Sequence, residues 1–326
     1  MEKNILRYNK PRFATYNCSA AIGMVLQNHP DADNWYYNNA ILVRCKEPNN
    51  RDKHFDIDFS LATSHPHMIE HLITKHVELF YIKDIVNDII VNLIDCDYYI
   101  HFHGVDDYFL KGKSNYLKRH FCHDGVIYGY NNVTEVYNVA AYNDSWNFDC
   151  FELSKDDFLA GLNSLLYSNS FFYAIKIIKP IRRIGIDLKK IKQTIQNYLS
   201  PIDFEAANSG YSYGINTYDT IIQYISDLID NDRTDLDQRV FSLMLEHKTC
   251  IYEMINSTVN KSKDSEYCIE KYYKVLKNAR VLNVLAMRYN LKLDKRLLLE
   301  ISNVVERMKS DEKEAFECYL EVVEVL

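Results

Sequence analysis

The middle of the chain alternates apolar and polar residues with the period of two that is typical of half-buried β-strands. Such runs, or short apolar runs that suit a buried strand, occupy residues 40–45, 54–59, 97–105, 123–130 and 135–142. The last two flank Asn131 and Asn132, which are turn-forming residues. We therefore predict five strands, of which the last two form an antiparallel hairpin.

The helical period of 3.6 residues dominates the second half of the chain. Apolar positions at this spacing, with oppositely charged residues four apart, predict helices over residues 184–199, 218–229, 236–259, 267–289 and 294–325. The first half adds shorter predicted helices over residues 64–77 and 83–95. A third begins after Ser154, where Ser154 and Asp157 have the capping-box form.

The composition changes near residues 170–180, from mixed strands and helices to helices alone. We predict a domain boundary there, with an α+β domain over residues 1–170 and a helical domain over residues 171–326. A chain of 326 residues is long enough for two such domains, each with its own core.

The net charge of -7 argues against a nucleic-acid partner, because no basic field offsets phosphate repulsion. We see no signal peptide and no apolar run of membrane-spanning length, and we expect no membrane partner. The 8 cysteines are scattered without close pairs, which does not suggest a disulfide framework. A reducing cytoplasm is therefore the expected compartment.

Candidate chemistry begins near the N-terminus, where residues 17–26 predict a helix. Asn17 is a good N-cap residue, which would make Cys18 the first helical residue. The N–H groups and the positive dipole end of a helix favour a thiolate, which is the nucleophilic form of cysteine. Cys18 is thus a candidate nucleophile. The alternative is a small buried cysteine on an apolar helix.

A cysteine acyl-transfer site also needs a histidine base and a group that orients it. His123 begins one strand of the predicted hairpin, and Asn143 and Asp144 follow the end of its partner, so strand pairing would bring them together. We predict Cys18 and His123 as the catalytic pair, with Asp144 narrowly favoured over Asn143 as the third member. The oxyanion hole would use the backbone N–H of Cys18 and a second donor. Asn17 is a candidate for this second donor, although its side chain is also expected to cap the helix.

The histidines offer a second constellation, formed by His65, His67, His71, His76, His101 and His103. His101 and His103 are alternate residues of one predicted strand, so they share a face and could chelate one ion. No cysteine or acidic residue stands at a tight companion spacing. We therefore predict no metal and no cofactor.

Three short stretches of the first half resemble a known family. They are Asn17-Cys18-Ser19-Ala20, Asp106-Asp107-Tyr108, and His120-Phe121-Cys122-His123 with the following Ile127-Tyr128-Gly129-Tyr130-Asn131. They resemble the papain-like cysteine acyltransferases, a family that includes the N-terminal domain of the butirosin-pathway acyltransferase and the amide-forming cysteine-protease-like enzyme of closthioamide biosynthesis. The resemblance covers about residues 10–160.

The resemblance implies a papain-like fold, similar to double-glycine peptidases, with a C-terminal helical bundle. It implies that Cys18 accepts an acyl group from a carrier-protein thioester and that His123 assists its transfer to a small amine in non-ribosomal biosynthesis. This sequence departs from the pattern of related peptidases at two places. Arg12 stands where related peptidases have a Gln, and Asn143-Asp144 stands where they often have Asp-Pro.

The implied partner is an acyl or peptidyl carrier protein bearing a phosphopantetheine thioester, with a homodimer through the helical domain as one further option. Because carrier proteins are acidic, a basic docking patch is expected. Its candidate residues are Lys111, Lys113, Lys118, Arg119, Lys179, Arg182 and Arg183.

Two other functions are compatible with these residues. A cysteine hydrolase or peptidase would use the same triad with water as the acceptor, since one fold serves both outcomes. A non-catalytic carrier-protein-binding module would leave Cys18 buried and inert.

Overall fold

The computed structural model describes residues 1–46, 57–59, 66–79, 85–164, 170–201, 210–230, 236–260 and 262–323. These residues form helices and antiparallel strands, with a helical C-terminal region. The strands are β1 (Lys3–Ile5), β2 (Val43–Lys46), β3 (Ile57–Phe59), β4 (Leu72–Glu78), β5 (Tyr99–Asp106), β6 (Cys122–Asn131), β7 (Val136–Tyr142), β8 (Phe148–Ser154), β9 (Phe171–Ile177) and β10 (Tyr211–Tyr213). The helices are α1 (Asn17–Leu26), α2 (Ala32–Asn39), α3 (Val86–Asp95), α4 (Lys155–Leu162), α5 (Leu188–Leu199), α6 (Thr217–Asp230), α7 (Gln238–Thr258), α8 (Lys263–Lys292) and α9 (Lys295–Val322).

The chain divides into two compact units. The first contains residues 1–32 and 63–183, and the second contains residues 33–62 and 184–326. The first unit reaches past residue 170, where we expected the boundary, because β9 pairs with β4 and β5 inside its sheet. The segment that carries β2 and β3 groups with the C-terminal helices, since β2 pairs with β10.

The first unit is built on an antiparallel sheet in the order β4-β9-β5-β6-β7-β8, with β1 paired to β6. Alternate residues of β5 separate its two faces. Ile100 and Phe102 are buried in the core with α3 and α4. His101 and His103 lie on the opposite face, where α1 packs against β6, β7 and β9.

A β-bulge interrupts the pairing of β5 with β6. Phe102 pairs with Gly125, whereas Val105 pairs with His123, so β5 carries one extra residue. Gly104 lies inside the bulge with a φ of +73°, which L side chains rarely adopt. The bulge changes the alternation of side chains along β5, opposite the start of β6. Phe102 and Val105, three positions apart, therefore both lie in the core.

Most predicted elements of the N-terminal half of the chain are confirmed. The hairpin of residues 123–130 and 135–142 is β6 and β7, and the helix at 83–95 is α3. Ser154 caps α4 by accepting a hydrogen bond from the N–H of Asp157. Of the strand at 54–59, residues 57–59 form β3, and the rest lies outside the described residues.

The helix predicted over residues 64–77 is wrong. Residues 72–78 are strand β4, which pairs along its whole length with β9. Its sequence contains Ile73, Thr74 and Val77, whose β-branched side chains fit a pleated surface. Pairing partners that are distant in the chain decide this element, and the local period does not reveal them. Helix α2 and strands β8 and β9 were also not predicted.

The second unit combines a small antiparallel sheet, in the order β10-β2-β3, with helices α5 to α9. These five helices match the five predicted ones, with ends that differ by a few residues. The long helices α8 and α9 pack against each other, and α7 and α6 pack against this pair. Among the described residues, no helix has both the length and the apolar character needed to cross a membrane.

One buried carboxylate joins the five C-terminal helices, α5 to α9, of the second unit. Glu312 of α9 is 0% exposed and forms an ion pair with Lys248 of α7 at 2.8 Å. It also accepts hydrogen bonds of 2.6–2.7 Å from the hydroxyl groups of Tyr198, Tyr218 and Tyr272, which lie on α5, α6 and α8. Burial raises the pKa of Glu312, but the charges of Lys248 and His247 and the hydrogen bonds from Lys248 and Tyr218 together outweigh it, and the pKa is lowered overall.

We expect Glu312→Gln to lower the free energy of unfolding by about 3–5 kcal/mol, because the ammonium of Lys248 would stay buried without its counter-charge. Glu314→Gln is the matched control on the same helix. That carboxylate is exposed and pairs with Lys271, so its loss should cost less than about 1 kcal/mol. Urea unfolding followed by circular dichroism measures both variants. Equal losses of unfolding free energy in the two variants would contradict the structural role of Glu312.

Candidate functional site

Helix α1 begins at Asn17, one residue earlier than predicted. Tyr16 is the N-cap residue, with extended backbone angles and no capping hydrogen bond from its side chain. The prediction that Asn17 caps this helix is therefore wrong. The amide of Asn17 instead donates a 2.6 Å hydrogen bond to the carboxylate of Asp124 on β6. A hydrogen bond to an ionised acceptor is stronger than a neutral one, which explains the preference.

His123 lies at the start of β6 and contacts the start of α1. Its Nδ1 atom is 3.0 Å from Nδ2 of Asn17, although 106 positions separate the two residues in the chain. Cys18 follows Asn17 directly, in the first turn of α1, and its thiol is partly exposed. The structure thus brings the helix terminus that carries the predicted nucleophile to the predicted base.

The carboxylate of Asp124 connects three parts of the first unit. Besides the amide of Asn17, it contacts Nε2 of His101 on β5 at 3.1 Å and Nε2 of His123 at 3.8 Å. Burial raises the pKa of Asp124, but the hydrogen bond with His101 and the charges of nearby histidines hold it well below its usual range. Asp124 is therefore ionised in the folded protein.

A buried lysine also contacts the ring of His123. Nζ of Lys113 is 3.4 Å from Nδ1 of His123 and 3.5 Å from a carboxylate oxygen of Asp107. Burial raises the pKa of Asp107 to about 6, although Lys113 opposes this, and burial also lowers the pKa of Lys113. Lys113 is 4% exposed, so the prediction that it belongs to a surface patch is wrong. The other six candidates for that patch are exposed.

Asn143 and Asp144 lie in the turn between β7 and β8. Oδ1 of Asn143 accepts hydrogen bonds from the backbone N–H groups of Ser145 and Asn147. Asp144 is exposed, and its carboxylate accepts a hydrogen bond from the hydroxyl of Ser145. These bonds stabilise the turn. The role of either residue as the third member of a triad stays a prediction.

Asp106 and His120 form a second histidine–carboxylate pair, with Nδ1 of His120 2.7 Å from Asp106. Asp106 is 0% exposed. Its carboxylate also accepts hydrogen bonds from the N–H groups of Tyr108 and Phe121 and from the hydroxyl of Ser164. Burial raises its pKa, but these hydrogen bonds lower it overall. The pair fixes the chain that leads into β6.

One group of three potential metal ligands converges within the part of the chain that the structure describes: His101, His103 and Asp124. His67, His71 and His76 are described and lie outside this group, whereas His65 is outside the described residues. Sequence spacing did not reveal the group, because Asp124 comes from β6, 21 positions after His103. Pairing of β5 with β6 brings them together.

No protein-family model and no curated protein matches this chain.

We expect iodoacetamide near neutral pH to alkylate Cys18 at least about 100-fold faster than Cys122, because a helix N-terminus favours the thiolate. Burial, with the charges of Asp106 and Asp107, raises the pKa of Cys122 to about 12. Peptide mapping by mass spectrometry gives the rate at each cysteine in one experiment.

Cys96 is exposed and serves as an internal reference for an ordinary surface thiol. Cys18 should react faster than Cys96, and His123→Ala should remove this advantage without changing the rate at Cys96. A rate at Cys18 no higher than that at Cys122 would mean that its thiol is inert.

Proposed function

We propose that this protein is a cysteine-dependent acyltransferase, in which Cys18 takes an acyl group from a carrier-protein thioester and passes it to an amine. The observation that carries the proposal is the 3.0 Å approach of Asn17 to the imidazole of His123, directly beside Cys18. A nucleophile at a helix start and a histidine at a strand start are the two parts that such catalysis requires.

The architecture of the first unit supports a papain-like interpretation. Helix α1 packs on an antiparallel sheet, and His123 begins the strand of a hairpin whose partner ends just before Asn143. Continuing the register of Val126 with Ala140 toward the strand ends brings Asn143 to the level of His123. The order of cysteine, histidine and amide or acid along the chain is the one that papain-like folds use.

The proposed chemistry has two half-reactions. In the first, the thiolate of Cys18 attacks the thioester carbonyl, and the carbon–sulfur bond to phosphopantetheine breaks to release its thiolate. In the second, an amine attacks the acyl-enzyme, His123 accepts the amine proton, and the thiolate of Cys18 leaves. The backbone N–H of Cys18 is the proposed oxyanion donor in both, because it lies in the first turn of α1.

The environment of His123 favours this role for it. Its ring is bounded by the amide of Asn17, the ammonium of Lys113 and the carboxylate of Asp124. Three polar groups from separate segments restrict the ring, and a fixed ring is what a general base needs to meet its proton in a defined geometry. Asn17 is itself hydrogen-bonded to Asp124, so its second proposed role, as an oxyanion donor, requires that bond to exchange.

An acidic carrier protein is the proposed partner of the exposed basic residues, and the small amine is the proposed acceptor. The proposed compartment is the reducing cytoplasm, which agrees with the absence of a disulfide bond among the cysteines of the described residues.

Intact-protein mass spectrometry tests the proposal. Wild type and Cys18→Ala are each incubated with acyl-thioesters of pantetheine and of carrier protein. We expect a mass gain of one acyl group on the wild type alone, and amines should discharge it faster than buffer does. Cys122→Ala is the matched control and should gain mass like the wild type, because the thiol of Cys122 takes no part.

The other outcomes separate the competing functions. Discharge by water at a rate that amines do not change would establish a hydrolase with the same nucleophile. Equal labelling of wild type and Cys18→Ala would refute catalysis through Cys18. Carrier binding without labelling, together with an inert Cys18, would establish a binding module.

A further inference from the structure

We infer that His101, His103 and Asp124 bind one divalent transition-metal ion of the zinc or iron(II) class. Each residue offers one ligand atom, and these three atoms all lie within 4.8 Å of one another. His101 and His103 are alternate residues on one face of β5, and Asp124 comes from β6 beside them. The site lies in the first unit and does not depend on the proposed acyl transfer.

Two imidazoles and one carboxylate are an established ligand set for such ions. The set occurs around catalytic zinc and, as a facial triad, around non-haem iron(II). Nε2 of His101 is already 3.1 Å from Oδ2 of Asp124. Two ligands of one tetrahedral ion, each about 2.0–2.1 Å from it, lie roughly 3.4 Å apart. These two ligand atoms therefore need little movement, and the ligand atom of His103 lies within 4.8 Å of both.

An unsatisfied nitrogen atom is the second observation that points to a ligand. Nε2 of His103 is buried and has no hydrogen-bond partner. His101 is 2% exposed. Buried polar atoms are almost always paired, and an unpaired one costs free energy. An ion-pair interpretation satisfies Asp124 and one nitrogen of His101, but it leaves His103 without a partner. A bound ion explains His103 as well.

The surroundings hold two of the three ligands in place. The ring of His103 stacks on Phe171 with centroids 4.5 Å apart, and Tyr173 approaches at 5.7 Å. The other carboxylate oxygen of Asp124 accepts the hydrogen bond of Asn17. A hydrogen bond of this kind orients a metal ligand.

Metal titration of the full chain tests the inference. Protein dialysed against a chelator is titrated with Co²⁺, followed by visible absorption, and with Zn²⁺, followed by calorimetry. We expect one equivalent to bind, with d–d bands and without the charge-transfer band of a cobalt–thiolate bond. His103→Gln and Asp124→Asn should each weaken binding by more than about 100-fold, since the loss of a second-shell partner alone costs about 10–100-fold.

His76→Gln is the matched control. His76 contacts the same two aromatic rings, Phe171 and Tyr173, but lies outside the ligand group and is half exposed. The metal affinity of the His76→Gln variant should equal that of the wild type. The Cys18→Ala variant should also bind one equivalent of metal. Circular dichroism establishes that each variant is folded.

Absence of stoichiometric binding to the folded wild type would overturn the inference. A cobalt–thiolate charge-transfer band would also overturn it. So would metal binding that persists in both the His103→Gln and the Asp124→Asn variant. None of these results would bear on acyl transfer, because the acylation experiment reports on Cys18 alone. Conversely, a chain that never becomes acylated could still bind one equivalent of metal through these residues.

Discussion

The partly buried carboxylate of Asp124 is the constraint around which the first unit is arranged. A buried charge is tolerated only where partners replace its lost hydration. Asp124 finds them on α1, through Asn17, and on β5, through His101. These bonds fix the start of α1 against the face of the sheet. The position of Cys18 relative to His123 therefore follows from a requirement for electrostatic satisfaction as much as from apolar packing.

Glu312 provides the contrast that separates a structural carboxylate from a functional one. It is fully buried and surrounded by an ammonium and three hydroxyl groups, so its hydrogen-bonding capacity is used within the protein. Around Asp124 the hydrogen-bonding capacity is not fully used, because neighbouring buried nitrogen atoms of His101 and His103 have no hydrogen-bond partner. Native structures keep such deficits chiefly where a ligand or a reaction uses them. The same physical argument thus assigns stability to one cluster and binding to the other.

The sequence predicted the helices and strands that follow from the local hydrophobic period. It did not predict elements whose structure depends on pairing with a strand distant in the chain. The β6–β7 hairpin and the five C-terminal helices follow from alternation and amphipathic spacing, and His123 was placed correctly at its strand start. Strand β4 was predicted as a helix because its partner β9 lies about a hundred residues away. Asp124 was missed for a related reason. Neighbouring residues on a strand normally face opposite sides, yet His123 and Asp124 both contact Asn17. Lys113 was read as a surface charge, since nothing local reveals that its ammonium is buried beside Asp107.

The two proposed sites share Asp124 without competing for it. A metal held with His101 and His103 would use the oxygen that already contacts His101, while the other oxygen stays on the amide of Asn17. The ion would then hold Asn17 more firmly beside the imidazole of His123, because a coordinated carboxylate can no longer rotate away. In this arrangement the metal does not touch the reacting atoms. Its effect on Cys18 chemistry would pass through the orientation of Asp124 and Asn17, which makes Asp124 the residue that couples the sheet to the helix start.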